Sequence, residues 1–117
     1  MKTYITLLNN PSYMKGTLVL YESLRRTHTA YPFTVLITHS NRLKKEIVIL
    51  KSIERKDHNF HVILSESIKL PDFVEQFLCK YSFDEWINSF DKLLVFDLIQ
   101  YEKVVFLDSD ILILKKY

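Results

Sequence analysis

The sequence predicts an α/β protein with a mainly parallel β-sheet flanked by helices. Short strand-like runs alternate along the chain with longer segments of helical periodicity. The strand-like runs are apolar throughout, which is typical of parallel strands covered on both faces. The composition agrees with a folded domain, because 48% of the 117 residues are hydrophobic and 26% are charged.

The alternation begins at the N-terminus. Residues 4–8 form an apolar run, and Asn9, Asn10 and Pro11 close it as a turn signal. A helix is predicted from Ser12 as its N-cap, because apolar residues recur at helical spacing from there. The elements that follow are a strand over 33–37, a second helix capped by Ser40 or Asn41 with Leu43, Ile47 and Leu50 facing inward, and a strand over 60–64.

The second half of the chain continues the pattern. Pro71 is predicted to open a short helix, and Ser82 to Glu85 match a capping box for a longer one that runs to about residue 99. A last strand over 103–107 leads into Asp108-Ser109-Asp110. The apolar run 111–114 follows directly.

Composition and charge argue against several classes of protein. A net charge of +2 without a basic stripe gives no sign of nucleic-acid binding. The single glycine excludes a glycine-rich phosphate loop, and the single cysteine excludes an internal disulfide framework. Because we find neither a signal-peptide pattern nor an apolar run of about 20 residues, we expect no membrane span and a cytoplasmic location.

Asp108 and Asp110 are the strongest candidates for chemistry. Ligands of parallel sheets bind beyond the carboxyl ends of the strands, where this pair stands. If the local chain stays extended, both carboxylates point the same way and offer oxygen ligands for Mn²⁺ or Mg²⁺. Since the run 111–114 is apolar, we expect it to return at once to the core and to hold the acids at a constrained point.

Other interpretations of this motif stay open. Asp-Ser-Asp is also a reasonable turn sequence. Haloacid-dehalogenase-like phosphatases place Asp-x-Asp after an apolar strand too, with the first Asp as nucleophile. Leu112 stands where that pattern normally has Thr or Val, and the motif comes late in this chain, so both features count against a phosphatase.

Lys92 is a further candidate, in the predicted helix before the last strand. No carboxylate stands three or four residues away from it, so a helical ion pair does not explain it. It is either a solvated lysine or a lysine directed at a phosphate.

The segment from Phe90 to Asp110 resembles glycosyltransferase family 8, the family of glycogenin, galactinol synthase and bacterial lipopolysaccharide galactosyltransferases. The resemblance is carried by Lys92-Leu93 and by the run from Tyr101 through Lys103-Val104-Val105-Phe106-Leu107 to the D-x-D motif. Residues 4–13, with Gly16, Leu18-Val19-Leu20 and Ser23-Leu24, look like the family's first strand and helix. The resemblance covers essentially the whole chain.

The resemblance implies a Rossmann-like, GT-A-type nucleotide-binding half-domain over residues 1–117, truncated after the D-x-D motif. It implies a Mn²⁺ (or Mg²⁺) cofactor held by Asp108 and Asp110, and a UDP-sugar donor. The other donor residues that it implies are Leu7, Leu8, Asn9, Asn10 and Tyr13 around the uracil and ribose, Lys92 near the phosphate or sugar, and the Ser109 backbone near the ribose.

The implied activity is metal-dependent, retaining transfer of a sugar from a UDP-sugar. In the family, a histidine metal ligand and the acceptor-binding residues follow the D-x-D motif, whereas the four histidines of this chain precede it. We therefore assign no catalytic residue. The alternatives are a non-catalytic nucleotide-sugar-binding fragment and one part of a split enzyme that a second polypeptide completes.

Overall fold

The computed structural model describes residues 2–66 and 102–114. The predicted helices that begin at Pro71 and Ser82 lie outside these ranges, and so does Lys92. None of the described helices is long and apolar enough to cross a bilayer. The described elements are β1 (Lys2–Leu8), α1 (Met14–Arg25), β2 (Phe33–Ile37), α2 (Lys44–Lys56), β3 (Phe60–Leu64) and β4 (Lys103–Phe106).

The four described strands form one all-parallel sheet in the order β3-β2-β1-β4. This confirms the predicted parallel α/β sheet. From β1 the chain adds β2 and then β3 on one side, and β4 pairs with the other side of β1. Consequently the strand order reverses between β1 and β4, and the carboxyl ends of these two strands are neighbours.

Both described helices pack on one face of the sheet. Leu20 of α1 and Leu50 of α2 are fully buried there, in one cluster with Val35 and Phe60 of the strands. Burying a side chain of this size stabilises the fold by about 1.5–3 kcal/mol. The opposite face also carries buried residues, as expected for a sheet covered on both sides: Ile5, Leu7 and Leu36.

The two helices begin differently from the prediction. A 3₁₀ turn over Pro11–Tyr13 precedes α1, and Asn10 caps that turn by accepting hydrogen bonds from the backbone N–H and the hydroxyl of Ser12, both at 2.9 Å. Ser12 is therefore not the N-cap. The cap prediction for α2 is wrong for the same reason, because a 3₁₀ turn over Ser40–Arg42 moves the start of that helix beyond both predicted caps.

Among the described strands, β3 lies at the edge of the sheet beyond β2. The Val62 N–H donates to Glu54 Oε2 of α2 at 2.7 Å, and Lys51 approaches the same carboxylate at 3.5 Å. A side chain of the preceding helix thus satisfies a backbone donor of the edge strand.

Candidate functional site

The acidic motif lies at the carboxyl end of β4, beside the end of β1. Phe106 is in register with Ile5, and the Leu107 N–H continues the ladder by donating to the Ile5 carbonyl at 2.8 Å. The motif follows immediately, next to the point where β1 gives way to Asn9. In open parallel sheets the crevice beyond the strand ends, where the strand order reverses, is the usual place for a ligand.

The motif forms a turn instead of an extended segment. The Ile111 N–H donates to the Asp108 carbonyl at 3.3 Å, and residues 109–110 are the centre of this turn. The condition under which both carboxylates point the same way, an extended chain, is therefore not met, and the turn interpretation that the sequence left open is the one observed. Asp108 and Asp110 are both exposed, so solvent or a ligand can reach their carboxylates.

The apolar run after the motif does not return to the core as a whole. Only Ile113 packs against the core cluster. Ile111, Leu112 and Leu114 are exposed by 38%, 57% and 82%. The expectation of immediate burial was wrong for these three residues, because the run is not a strand.

Helix α1 instead provides the constraint on the motif. A Cβ atom built on Gly16 would lie 2.4 Å from the Ser109 carbonyl oxygen and 3.3 Å from its carbon. Two helical turns later, Ser23 Oγ accepts a hydrogen bond from the Ile113 N–H at 3.1 Å. The residue between the two aspartates and the segment after them are thus both held against α1.

Sequence reasoning missed the part that Gly16 and Ser23 take in the site. For Gly16 the sequence did contain a signal of close packing, because a glycine inside a helix destabilises a protein by about 0.5–1 kcal/mol relative to alanine. The only glycine of the chain, inside a predicted helix, therefore indicates a close approach of another segment. The hydroxyl of Ser23 gave no comparable signal.

The residues predicted to surround the base and ribose lie at the end of β1. Leu7 and Leu8 are 9% and 0% exposed, and the Leu8 carbonyl accepts a hydrogen bond from the Thr38 N–H at 3.2 Å. Asn9 is buried, and the Asn10 carbonyl oxygen Oδ1 is used in the cap described above. Tyr13 is 49% exposed and offers an accessible ring. Their contacts to a nucleotide stay a prediction.

Among the described residues, the candidate metal ligands are the exposed carboxylates of Asp108 and Asp110. In residues 2–66 and 102–114, no group of three or more His, Cys, Asp or Glu side chains is placed to hold a metal ion. Cations such as Mg²⁺ typically take one or two carboxylates and fill their other positions with water and substrate phosphates. Asp108 and Asp110 are exposed carboxylates of this kind, and their binding of a cation stays a prediction.

The opposite, amino end of the sheet has a different polar pair. There Tyr21, Phe33 and Phe60 form an aromatic cluster, in which the Tyr21 ring lies 4.7 Å from Phe60 and 6.0 Å from Phe33. The Tyr21 hydroxyl donates to Asp57 Oδ2 at 2.5 Å. Burial and, second, this hydrogen bond raise the pKa of Tyr21 to about 12, and the same bond lowers the pKa of Asp57. A cavity of about 590 Å³ opens beside the pair, toward Arg25.

The parallel sheet, its switch point and the acidic turn together define the class of protein: a Rossmann-like α/β half-domain of the GT-A type. Several known proteins are similar to the chain in sequence. The chain is 31% identical to galactinol synthase 1 of Ajuga reptans, over 94% of the chain and 30% of that protein. It is 29% identical to "Putative UDP-glucuronate:xylan alpha-glucuronosyltransferase 4" of Arabidopsis thaliana, over 97% of the chain and 18% of that protein.

A third relative is glucose N-acetyltransferase 1 of Candida glabrata, with 27% identity over 97% of the chain and 23% of that protein. No family model matches the chain. The chain is thus similar, over nearly all of its own length, to part of several proteins named as galactinol synthases or other transferases. It spans less than a third of the length of these relatives.

Proposed function

We propose that this chain carries the donor-binding part of a metal-dependent glycosyltransferase. Asp108 and Asp110 hold a Mn²⁺ or Mg²⁺ ion, and the ion shares its other side with the diphosphate of a UDP-sugar. The observation that carries this proposal is the exposed acidic turn beside the end of β1, at the switch point of a parallel sheet.

The names of the relatives support a sugar nucleotide as the ligand. One of them is named for UDP-glucuronate, and several are named galactinol synthase. Because the chain matches less than a third of each of these proteins, the complete transfer reaction is part of the proposal too. The donor sugar and the acceptor are left open.

The proposal gives each residue a task. A bound cation offsets the charge of the diphosphate and stabilises it as a leaving group. The two aspartates hold that cation, and the exposed Tyr13 ring provides an apolar surface on which a base can stack. Leu7, Leu8, Asn9 and Asn10 are assigned the surroundings of the uracil and ribose, as the resemblance implies. Lys92 is assigned the phosphate or the sugar, as the resemblance implies.

A nucleotide-sugar-binding part without transfer activity is the second candidate. It is favoured by the ligand set, since the described residues offer two carboxylates and no larger cluster. In this form the chain binds the donor alone, or a second polypeptide completes the enzyme. A haloacid-dehalogenase-like phosphatase is the distant alternative, and the transferase names of the relatives disfavour it.

Calorimetry on the whole chain tests metal-dependent binding of UDP, which the transferase and the donor-binding proposals have in common. We expect a saturable heat when UDP is titrated into the protein with Mn²⁺, and no heat when EDTA removes the metal. The double variant Asp108→Asn/Asp110→Asn should lose the signal. Glu102→Gln is a matched control, because it removes an exposed carboxylate next to the other end of β4. A folded parent that gives no heat, or a double variant that binds like the parent, contradicts the proposal.

Activity assays then separate the candidates. Release of UDP from UDP-sugars by the isolated chain supports a competent transferase centre. Binding without release of UDP supports the donor-binding part alone. Hydrolysis of a phosphate monoester that is lost in Asp108→Asn would favour the phosphatase instead.

A further inference from the structure

We infer that Gly16 is a positioning residue for the acidic turn. Without a side chain at this place in α1, the Ser109 carbonyl can pack directly against the helix, and this contact determines where the two flanking aspartates hold their carboxylates. The inference rests on the proposed cation site, and it names the residue on which the geometry of that site depends.

The distances leave no room for any other residue at position 16. A Cβ atom there would lie 2.4 Å from the Ser109 oxygen, whereas real Cβ contacts are essentially never under 3.0 Å. Relief therefore requires the carbonyl or the helix to move by more than half an ångström. The Ser109 oxygen is a backbone atom and the added Cβ is bonded directly to the helix backbone, so no flexible side-chain end can swing aside. Binding constellations must be held to within about 0.5 Å of their productive geometry.

The turn cannot absorb this movement by sliding, because the chain is fixed on both sides of it. Before the turn, Leu107 donates to the Ile5 carbonyl at 2.8 Å and packs against the core cluster. After the turn, Ile113 packs against the same cluster and donates to Ser23 Oγ at 3.1 Å. A displacement of Ser109 must therefore be taken up by its two neighbours, which are the proposed cation ligands.

Gly16→Ala tests the inference, because free space at position 16 and a controlling Ser109 contact predict different changes in the Tm and in the affinity for UDP with Mn²⁺. If position 16 has free space, alanine raises the Tm, since alanine is the better helix former and restricts the unfolded chain. It then leaves the binding of Mn²⁺ and UDP unchanged. If the Ser109 contact governs the turn, the Tm does not rise and the affinity for UDP with Mn²⁺ falls at least tenfold.

Two further measurements separate positioning from general damage to the fold. The EPR spectrum of bound Mn²⁺ should change in Gly16→Ala while the circular dichroism spectrum stays that of the parent. Adding Ser109→Gly should recover part of the affinity, because glycine lets the turn backbone readjust. Val48→Ala is the control, since it places alanine at a helix position that is 67% exposed on α2.

If the parent binds Mn²⁺ and UDP and Gly16→Ala binds them equally well, the positioning inference is overturned and the proposed function stands. If the folded parent binds neither, both are overturned. Should Gly16→Ala fail to fold, Ser23→Ala decides, because it removes the Ile113 anchor and otherwise only the bond from the Ser23 hydroxyl to the Leu20 carbonyl within α1. We expect it to fold and to bind about three- to tenfold more weakly, and unchanged binding would overturn the inference.

Discussion

The two ends of the sheet use their polar residues in different ways. At the amino end, Tyr21 and Asp57 hydrogen-bond to each other beside an aromatic cluster, and their pKa values move apart as a result. At the carboxyl end, Asp108 and Asp110 stand exposed in a turn that α1 holds through Gly16. The comparison shows that polar groups of the first end serve the fold, whereas those of the second end are accessible to a ligand.

This difference predicts that substitutions at the two ends have separable effects. Changes at the amino end should lower the free energy of unfolding and leave the affinity of the folded protein for UDP unchanged. Changes to Asp108 and Asp110 should lower the affinity for UDP and leave the free energy of unfolding nearly unchanged. Any variant that moves both quantities strongly would break the comparison.

The largest effect is expected at the centre of the aromatic cluster. Phe60→Ala removes a fully buried ring and should cost about 3–5 kcal/mol of unfolding free energy, by lost burial and a residual cavity. Urea unfolding followed by circular dichroism measures this. If the alanine variant does not fold, Phe60→Leu should show a smaller loss of stability with UDP affinity unchanged. A loss below about 1 kcal/mol for alanine would contradict the burial of this ring.

The acidic pair should show the reverse pattern. Asp108→Asn/Asp110→Asn should weaken Mn²⁺-dependent UDP binding at least a hundredfold, which corresponds to about 2.7 kcal/mol of binding free energy. Its unfolding free energy should stay within about 0.5 kcal/mol of the parent, because both side chains are exposed. Calorimetry and urea unfolding of the same preparation check the two halves of this prediction. A large loss of stability would make the pair a structural element.

A smaller effect is expected for the hydroxyl of Tyr21. Tyr21→Phe keeps the ring in the cluster and removes only the hydrogen bond to Asp57, so we expect a loss of about 0.5–1.5 kcal/mol. The Asp57 carboxylate keeps its bond from the Asn59 N–H at 2.9 Å, which limits the cost. Thermal unfolding at pH 7 measures the difference. An equal Tm for parent and variant would show that the bond contributes nothing.

The smallest and most specific effect should be the pH dependence of the stability difference between the parent and Tyr21→Phe. Because the folded pKa of Asp57 is lowered, its contribution is present above the ordinary value of 3.8 and is lost as the pH falls through the folded pKa. Because the folded pKa of Tyr21 is raised, its contribution is present below pH 10 and is lost as the pH rises toward about 12. The Tm difference between the parent and Tyr21→Phe should therefore have a plateau and shrink at both extremes.

The regular elements were predictable because their signals are local. The strands over 33–37 and 60–64 have the predicted bounds, since uniformly apolar runs between turn residues identify buried parallel strands. The helix starts were not predictable in the same way. Polar residues and proline occur both in a 3₁₀ turn before a helix and at a helix N-cap. Composition therefore does not show whether Asn10 or Ser12 is the capping residue.

The site was predictable in its place but not in its construction. The rule for parallel strands located Asp108 and Asp110 at a carboxyl end, and the sheet order confirms that this end adjoins β1. The turn geometry and the contact between Ser109 and Gly16 join segments that are far apart in the sequence. Such a contact depends on how α1 lies on the sheet, which periodicity does not encode.

The contact between Glu54 of α2 and β3, the edge strand among those the structure describes, has a consequence for behaviour at high concentration. Exposed strand edges offer unpaired N–H groups to which another molecule can add a strand, and this is a common route to aggregation. On β3, the Val62 N–H already donates to Glu54. A second molecule that pairs with β3 at Val62 must first displace this charged side chain, so the second helix of the chain disfavours strand addition at that position.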